Sequence, residues 1–102
     1  MQAIDGNTVR KIVIACDAGM GSSVMLAAQL SATLKKYSVT VRHAPVNEIP
    51  EDADLVICQK ALVDRARAVA PDKAVLGFMM FFGDPLFDRV ENAIKNGTRI
   101  DY

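Results

Sequence analysis

The stretch CDAGMGSS at residues 16–23 combines residue types that suit the chemistry of an activated sulfur. A cysteine thiolate is a good nucleophile, and glycines let the backbone approach a ligand closely. Successive backbone N–H groups and serine hydroxyls form cradles for tetrahedral anions. We therefore predict that Cys16 is a nucleophile that carries a phosphoryl group. The predicted phosphate-binding loop around it comprises Asp17, Ala18, Gly19, Met20, Gly21, Ser22 and Ser23.

The elements on either side of this stretch are those needed to position it. Residues 11–15, KIVIA, form a short β-branched run typical of a strand buried on both faces. The apolar spacing of residues 23–37 predicts a helix that Ser22 or Ser23 caps. The free N–H groups and positive dipole end of that helix would favour both a thiolate and a bound phosphate.

The remaining patterns predict how the sheet is built. Further strands are predicted at residues 38–44, 54–58 and 73–78, and further helices at 59–70 and 84–97. In the last helix Asp84 is a predicted cap, Pro85 takes the first helical position and Gly97 follows the end. We predict an α/β class fold, a small doubly wound (Rossmann-like) four-stranded parallel sheet with strand order 2-1-3-4 and helices on both faces. Cys16 would then lie at the carboxyl edge, where such sheets bind ligands.

Composition bounds the class of protein. The 102 residues are 51% hydrophobic, and 12 basic residues balance 12 acidic ones, so no charge footprint for nucleic acid is present. We expect no secretory signal and no membrane insertion, and the two cysteines indicate a reducing cytoplasm. We divide the chain into a polar lead-in or linker at 1–9, a functional domain at 10–97 and a tail at 98–102.

Low-molecular-weight tyrosine phosphatases offer a close comparison, because they also place a cysteine after the first strand of a small doubly wound sheet. Their loop continues with five residues, an arginine and then serine or threonine, whereas Ser22 stands here where the arginine would be. The late Asp84-Pro85 pair is a partial match to the acid of that family. Without the arginine the loop suits holding a phosphocysteine better than hydrolysing it. A phosphatase or arsenate reductase remains an alternative.

The stretch IVIACDAGMGSS at residues 12–23 resembles the phosphorylation loop of a known family. That family is the enzyme IIB component of the bacterial phosphoenolpyruvate-dependent sugar phosphotransferase system, in its mannitol-type branch. The similarity continues through PEDADLVICQKALVDRA and FFGDPLFDRVENAI and covers roughly residues 10 to 96. Mannitol-type proteins often carry Thr-His where this chain has Cys58-Gln59, so the sugar stays open.

The resemblance implies a reaction and its partners. Cys16 would accept a phosphoryl group from a histidine of enzyme IIA and pass it to a sugar bound by the membrane component, enzyme IIC. A mannitol-like hexitol is the favoured substrate, and no metal or organic cofactor is expected. We expect a monomer associated with the inner face of the membrane through enzyme IIC. A regulatory module, whose phosphorylation is a signal, is the other alternative.

Other residues receive plainer interpretations. We expect Cys58 to pack as a small hydrophobe, with a disulfide to Cys16 as the minor alternative. His43 is expected to be exposed or structural rather than catalytic. Asp17 is expected to turn away from the phosphate towards backbone amides. The segment GFMMFFG predicts a strand whose exit exposes an apolar rim beside the site, and Asp64, Arg65 and Arg67 predict a solvated helix face.

Overall fold

A parallel sheet determines where the strand ends of this protein meet. The structure, a computed structural model, describes residues 2–17, 22–80 and 83–102, and in residues 22 and 23 it describes the helix backbone. The strands are β1 (Ala3–Asp5), β2 (Lys11–Cys16), β3 (Thr40–Pro45), β4 (Leu55–Gln59), β5 (Ala74–Phe78) and β6 (Arg99–Asp101). The helices are α1 (Ser22–Leu34), α2 (Val63–Val69) and α3 (Pro85–Asn96).

The four central strands are ordered β3-β2-β4-β5, and each neighbouring pair is parallel. Counted in the order in which they were predicted, these strands run 2-1-3-4, so the predicted small doubly wound α/β fold is confirmed. The winding reverses between β2 and β4, because α1 leads from β2 to β3 whereas α2 leads from β4 to β5. This reversal places the carboxyl ends of β2 and β4 side by side at the edge where ligands bind in such folds.

Helices cover both faces of the sheet, as predicted. Side chains alternate between faces along a strand, so each strand contributes to two cores. One core lies under α1 and α3 and includes Ile12, Ile14, Leu30, Ile57 and Val90. The other lies under α2 and includes Val13, Ala15, Val56, Cys58 and Ala66. Burial on both faces explains why the central strands β2 and β4 are nearly continuous apolar runs.

The two terminal segments pair with each other, which the sequence patterns did not predict. β1 and β6 form a two-stranded antiparallel sheet with Ile4 opposite Ile100. Gly6 then enters a 3-10 turn against α3, and its amide donates to the carbonyl oxygen of Thr98 at 2.8 Å. A Cβ atom on Gly6 would lie 2.1 Å from the carbonyl oxygen of Ala93, so only glycine fits this approach. Residues 3–8 of the segment assigned to a lead-in and residues 99–101 of the segment assigned to a tail are therefore regular structure, and the 3-10 turn and β6 contact α3.

Element boundaries differ from the predictions where a local turn intervenes. The α1 helix ends at Leu34, and residues Lys35–Tyr37 form a 3-10 turn that closes on Ser38, whose φ is 62°. Because Ser38 has left-handed backbone angles, β3 begins at Thr40 rather than at the predicted residue 38. Gln59 still has extended backbone angles, so the helical segment predicted at 59–70 starts at Lys60, with a 3-10 turn, Lys60–Leu62, followed by α2. The caps of α3, Asp84 and Gly97, are confirmed.

No helix within the described ranges is both long enough and apolar enough to cross a membrane.

Candidate functional site

Cys16 is the last residue of β2 and lies at the carboxyl edge of the sheet. It is paired with Pro45 of β3, and strand alternation places its side chain on the sheet face that carries Ile12 and Ile14. The Sγ atom lies 3.7 Å from the carbonyl oxygen of Ala44, a distance that suits a weak bond donated by the thiol. The side chain is 8% exposed. A sulfur at this place is positioned for a ligand bound beyond the strand ends.

The loop after Cys16 is only partly described. Residues 18–21, which include the predicted cradle residues Ala18, Gly19, Met20 and Gly21, lie outside the described residues, as do the side chains of Ser22 and Ser23. The α1 helix does begin at Ser22, so a helix N-terminus follows the loop as predicted. The phosphate-binding roles assigned to residues 17–23 remain predictions.

Asp17 has a described partner that sequence reasoning did not anticipate. Its Oδ1 atom accepts a hydrogen bond from Nη1 of Arg65 at 2.8 Å, and the two groups form an ion pair. Arg65 lies on α2, 48 residues further along the chain and on the opposite face of the sheet from α1. The side chain of Asp17 thus contacts a cation; the expectation that it turns to backbone amides stays a prediction, because the neighbouring residues 18–21 lie outside the described residues. No local sequence pattern connects positions so far apart.

Cys58 occupies very different surroundings from Cys16. It is paired with Ala15 rather than with Cys16, and it belongs to the core under α2. Its side chain has no exposed surface, and burial raises the pKa of its thiol to about 11, against a smaller opposing effect of the positive charge of Arg67. Both thiols are free. The expectation of a packed small hydrophobe is confirmed, and the alternative of a disulfide is wrong because the two side chains point to opposite faces.

Asp84 links two segments at the same edge. Its Oδ1 atom accepts from the amide of Leu86 at 2.9 Å, which caps α3, and its Oδ2 atom accepts from the amides of Met79 and Met80 at 2.7 and 3.0 Å. The hydrogen bond from Leu86 is the largest cause of the lowered pKa of this carboxyl. Burial raises the pKa, and the hydrogen bonds from the amides of Met79 and Met80 lower it further. The carboxylate therefore fixes the exit of β5 to the start of α3.

Exposed apolar side chains flank this edge. Met79 and Met80, directly after β5, are 68% and 52% exposed, and Val24 and Met25 in the first turn of α1 are also exposed. Residues 81 and 82 of the predicted apolar rim lie outside the described residues. The apolar rim predicted from GFMMFFG is confirmed at the two methionines. We call Val24, Met25, Met79 and Met80 the apolar rim below.

His43 lies on β3, the edge strand of the sheet, opposite Ile14. Its side chain is exposed, which is one of the two surroundings expected for it. The predicted solvated face of α2 is found at Asp64, Arg65 and Arg67, all three exposed.

Comparisons with known proteins agree with this geometry. Residues 11–91 match the family profile described as "PTS system, Lactose/Cellobiose specific IIB subunit". The chain is also 40% identical, over 90 residues, to the "PTS system mannitol-specific EIICB component" of Halalkalibacterium halodurans and to that of Bacillus subtilis. It is 38% identical over 92 residues to the component of the same description from Staphylococcus aureus.

These alignments cover most of the chain but little of the relatives. They span 86% to 87% of this chain and 18% to 19% of the relatives' own length. The chain therefore spans about a fifth of the length of the curated relatives that it matches.

Proposed function

Because the chain belongs to the IIB subunit family of the phosphotransferase system, we propose that it carries a phosphoryl group on Cys16 during sugar uptake. The observation that carries the proposal is the place of Cys16. It ends β2 at the switch point of the sheet, inside the matched residues and immediately before a loop that leads to a helix N-terminus. We assign the surrounding cradle to residues 17–23.

The reaction is a pair of displacements at phosphorus. The Cys16 thiolate attacks the phosphorus of a phosphohistidine on enzyme IIA, so an S–P bond forms while the P–N bond breaks and its electron pair returns to the imidazole. A sugar hydroxyl then attacks the same phosphorus, so an O–P bond forms and the S–P bond breaks. The thiolate is regenerated, and the hydroxyl proton leaves to a base at the acceptor. The domain acts as a covalent carrier, which splits one transfer into two steps.

The proposed partners follow from the relatives. These relatives are described as mannitol-specific EIICB components, which join a C and a B component in one chain. We propose that this domain works with an enzyme IIC at the inner face of the membrane, that the acceptor is a mannitol-like hexitol, and that the domain is monomeric between encounters. The apolar rim gives these transient partners a surface to contact beside Cys16.

The phosphatase alternative conflicts with the state of Asp84. A phosphatase needs a carboxylic acid that gives a proton to the leaving group. The carboxylate of Asp84 already accepts three backbone hydrogen bonds, and the resulting lowered pKa keeps it ionised and unable to donate. Asp84 is therefore a structural cap and latch, and the partial Asp-Pro match does not indicate hydrolysis.

Intact mass measurement tests the proposal directly. The protein is incubated with phosphoenolpyruvate, the general phosphotransferase proteins and a mannitol-type enzyme IIA. Wild type is compared with Cys16→Ser and with Cys58→Ala, which removes the other thiol from the opposite core. We expect one added phosphoryl group on wild type and on Cys58→Ala, none on Cys16→Ser, and loss of the group on treatment with iodine, as for a thiophosphate ester.

Three results would contradict the proposal. No added mass on wild type with several enzyme IIA partners would favour a regulatory domain that no longer carries phosphate. Phosphate that persists on Cys16→Ser would place the carrier residue elsewhere. Release of inorganic phosphate from an aryl phosphate would revive the phosphatase alternative.

A further inference from the structure

The ion pair between Asp17 and Arg65 joins the residue after the proposed carrier to the helix on the other side of the sheet. The side chain of Asp17 is 75% exposed and that of Arg65 is 50% exposed. Exposed ion pairs of this kind add little to folding stability. Because the ion pair lies beside Cys16, it instead sets the charge around the proposed carrier residue.

That charge matters because the proposed phosphocysteine is itself an anion. A phosphate monoester carries close to two negative charges at neutral pH, and neighbouring Cα atoms are only about 3.8 Å apart. An uncompensated carboxylate on Asp17 would repel both an incoming phosphoryl group and the phosphocysteine. The loop sequence itself supplies no cation, because residues 16–23 contain neither lysine nor arginine.

Resting on the proposed function, we propose that Arg65 is a positioning residue that neutralises Asp17 and so makes the mouth of the site accept an anion. The cation comes from α2 rather than from the loop. The tight contact of α2 with the sheet fixes its place, since a Cβ on Gly77 of β5 would lie 2.6 Å from Cγ2 of Val63. Arg65 thus acts through Asp17, and Asp17 lies next to the reacting sulfur.

The first test needs no partner protein. Cys16 is alkylated with iodoacetate, which is an anion, and with iodoacetamide, which is neutral; in both cases the thiolate displaces iodide. The ratio of the two rates, read at Cys16 by peptide mass, reports the local attraction for an anion independently of thiolate population. We expect Arg65→Gln to lower the ratio about threefold to fivefold, as for the loss of one exposed charge pair. Arg65→Lys, which keeps the charge, should restore most of it.

Two matched variants show whether the change in the alkylation ratio comes from the ion pair between Asp17 and Arg65. Arg67→Gln removes an exposed arginine from the same helix that makes no ion pair with the described residues, and it should change the ratio less than twofold. The double variant Asp17→Asn with Arg65→Gln should return the ratio close to that of wild type, because no carboxylate then needs neutralising. A ratio unchanged by Arg65→Gln, or a double variant as low as Arg65→Gln alone, overturns the inference.

The second test reads the transfer itself. Wild type and variants are equilibrated with phosphorylated enzyme IIA, and the phosphocysteine fraction is measured by mass, with thermal unfolding as a check on folding. Arg65→Gln should shift the equilibrium against the phosphocysteine about threefold to fivefold with unchanged melting temperature, and the double variant should recover. If wild type takes no phosphoryl group while the alkylation ratios behave as expected, the proposed function fails and the electrostatic inference stands. If transfer occurs and Arg65→Gln changes neither measurement, the inference alone fails.

Discussion

Cys16 and Cys58 lie near the carboxyl ends of neighbouring strands, yet their side chains lie on opposite faces of the sheet and in different surroundings. Cys16 pairs with Pro45 at the carboxyl edge of the sheet, the edge at which β5 leads into Met79 and Met80 of the apolar rim. Cys58 pairs with Ala15 and is covered by α2 and the turn that precedes it. A shift of one residue in register sends a side chain to the opposite face of a sheet.

This difference shows how one sheet can hold an inert thiol, Cys58, beside the thiol that we propose as the carrier, Cys16. Burial raises the pKa of Cys58 and so keeps that sulfur protonated, which removes it as a competitor for modification. Cys16 is 8% exposed at the carboxyl edge of the sheet, and the proposed function requires a reagent or partner to reach it there. Different contacts also hold the two regions in place. On the side of Cys16, the Asp84 carboxylate binds the amides of Met79 and Met80, whereas close packing at Gly77 holds the segment that covers Cys58.

The largest expected contrast is in thiol alkylation of the native protein. A pKa of about 11 leaves about one Cys58 thiol in a thousand ionised at pH 8, and α2 blocks access to it. We expect iodoacetamide to modify Cys16 at least about a hundred times faster than Cys58, with both modified rapidly after unfolding. Equal rates in the native protein, measured by peptide mass, would show that the two regions do not differ as described.

The next contrast concerns the close packing over Cys58. Gly77→Ala would bring a Cβ to 2.6 Å from Cγ2 of Val63 and 3.0 Å from Cα of Lys60, so the covering segment must shift. We expect a loss of about 2–3 kcal/mol in the free energy of unfolding and faster alkylation of Cys58. Gly83→Ala is the matched control, because its Cβ meets none of the described residues within 4 Å and its φ of 78° is the unfavourable feature. That control should cost about 1 kcal/mol and leave Cys58 protected.

The latch at Asp84 should give a smaller and pH-dependent effect. Asp84→Asn keeps one acceptor oxygen but turns an NH2 group towards backbone donors, which should cost about 1–2 kcal/mol at pH 7. Because the folded pKa is lowered, the stabilisation is complete above the unfolded pKa of about 4 and is lost as the pH falls through the folded value. Chemical denaturation should therefore show that the free energies of unfolding of wild type and Asp84→Asn become equal in acid. The exposed Asp88 of α3, changed to asparagine, serves as the control. A difference in the free energy of unfolding between wild type and Asp84→Asn that does not change with pH would contradict the role of Asp84 described here.

The smallest expected change comes from removing the inert thiol. Cys58→Ala deletes one buried sulfur and should lower the free energy of unfolding by about 1 kcal/mol. Acceptance of a phosphoryl group should be unaffected, because Cys58 faces the core under α2. A large loss of transfer in a variant that still unfolds cooperatively would mean that the two regions are coupled.

The sequence by itself determined the sheet, its order and the place of Cys16. Continuous apolar strands alternating with helical patterns have few permitted topologies, and Asp84, Pro85 and Gly97 mark the ends of α3 by local chemistry alone. The similarity of residues 12–23 to a phosphorylation loop pointed to the family that the comparisons show. These features depend on short-range patterns, and a single sequence contains them.

Only the tertiary structure decided the contacts between distant segments. The pairing of β1 with β6 joins the two ends of the chain, and the ion pair from Asp17 to Arg65 spans 48 residues. The second role of Asp84, holding Met79 and Met80, arises because β5 leaves the sheet beside the start of α3. Each depends on which elements the fold brings together, and neither periodicity nor capping chemistry carries that information.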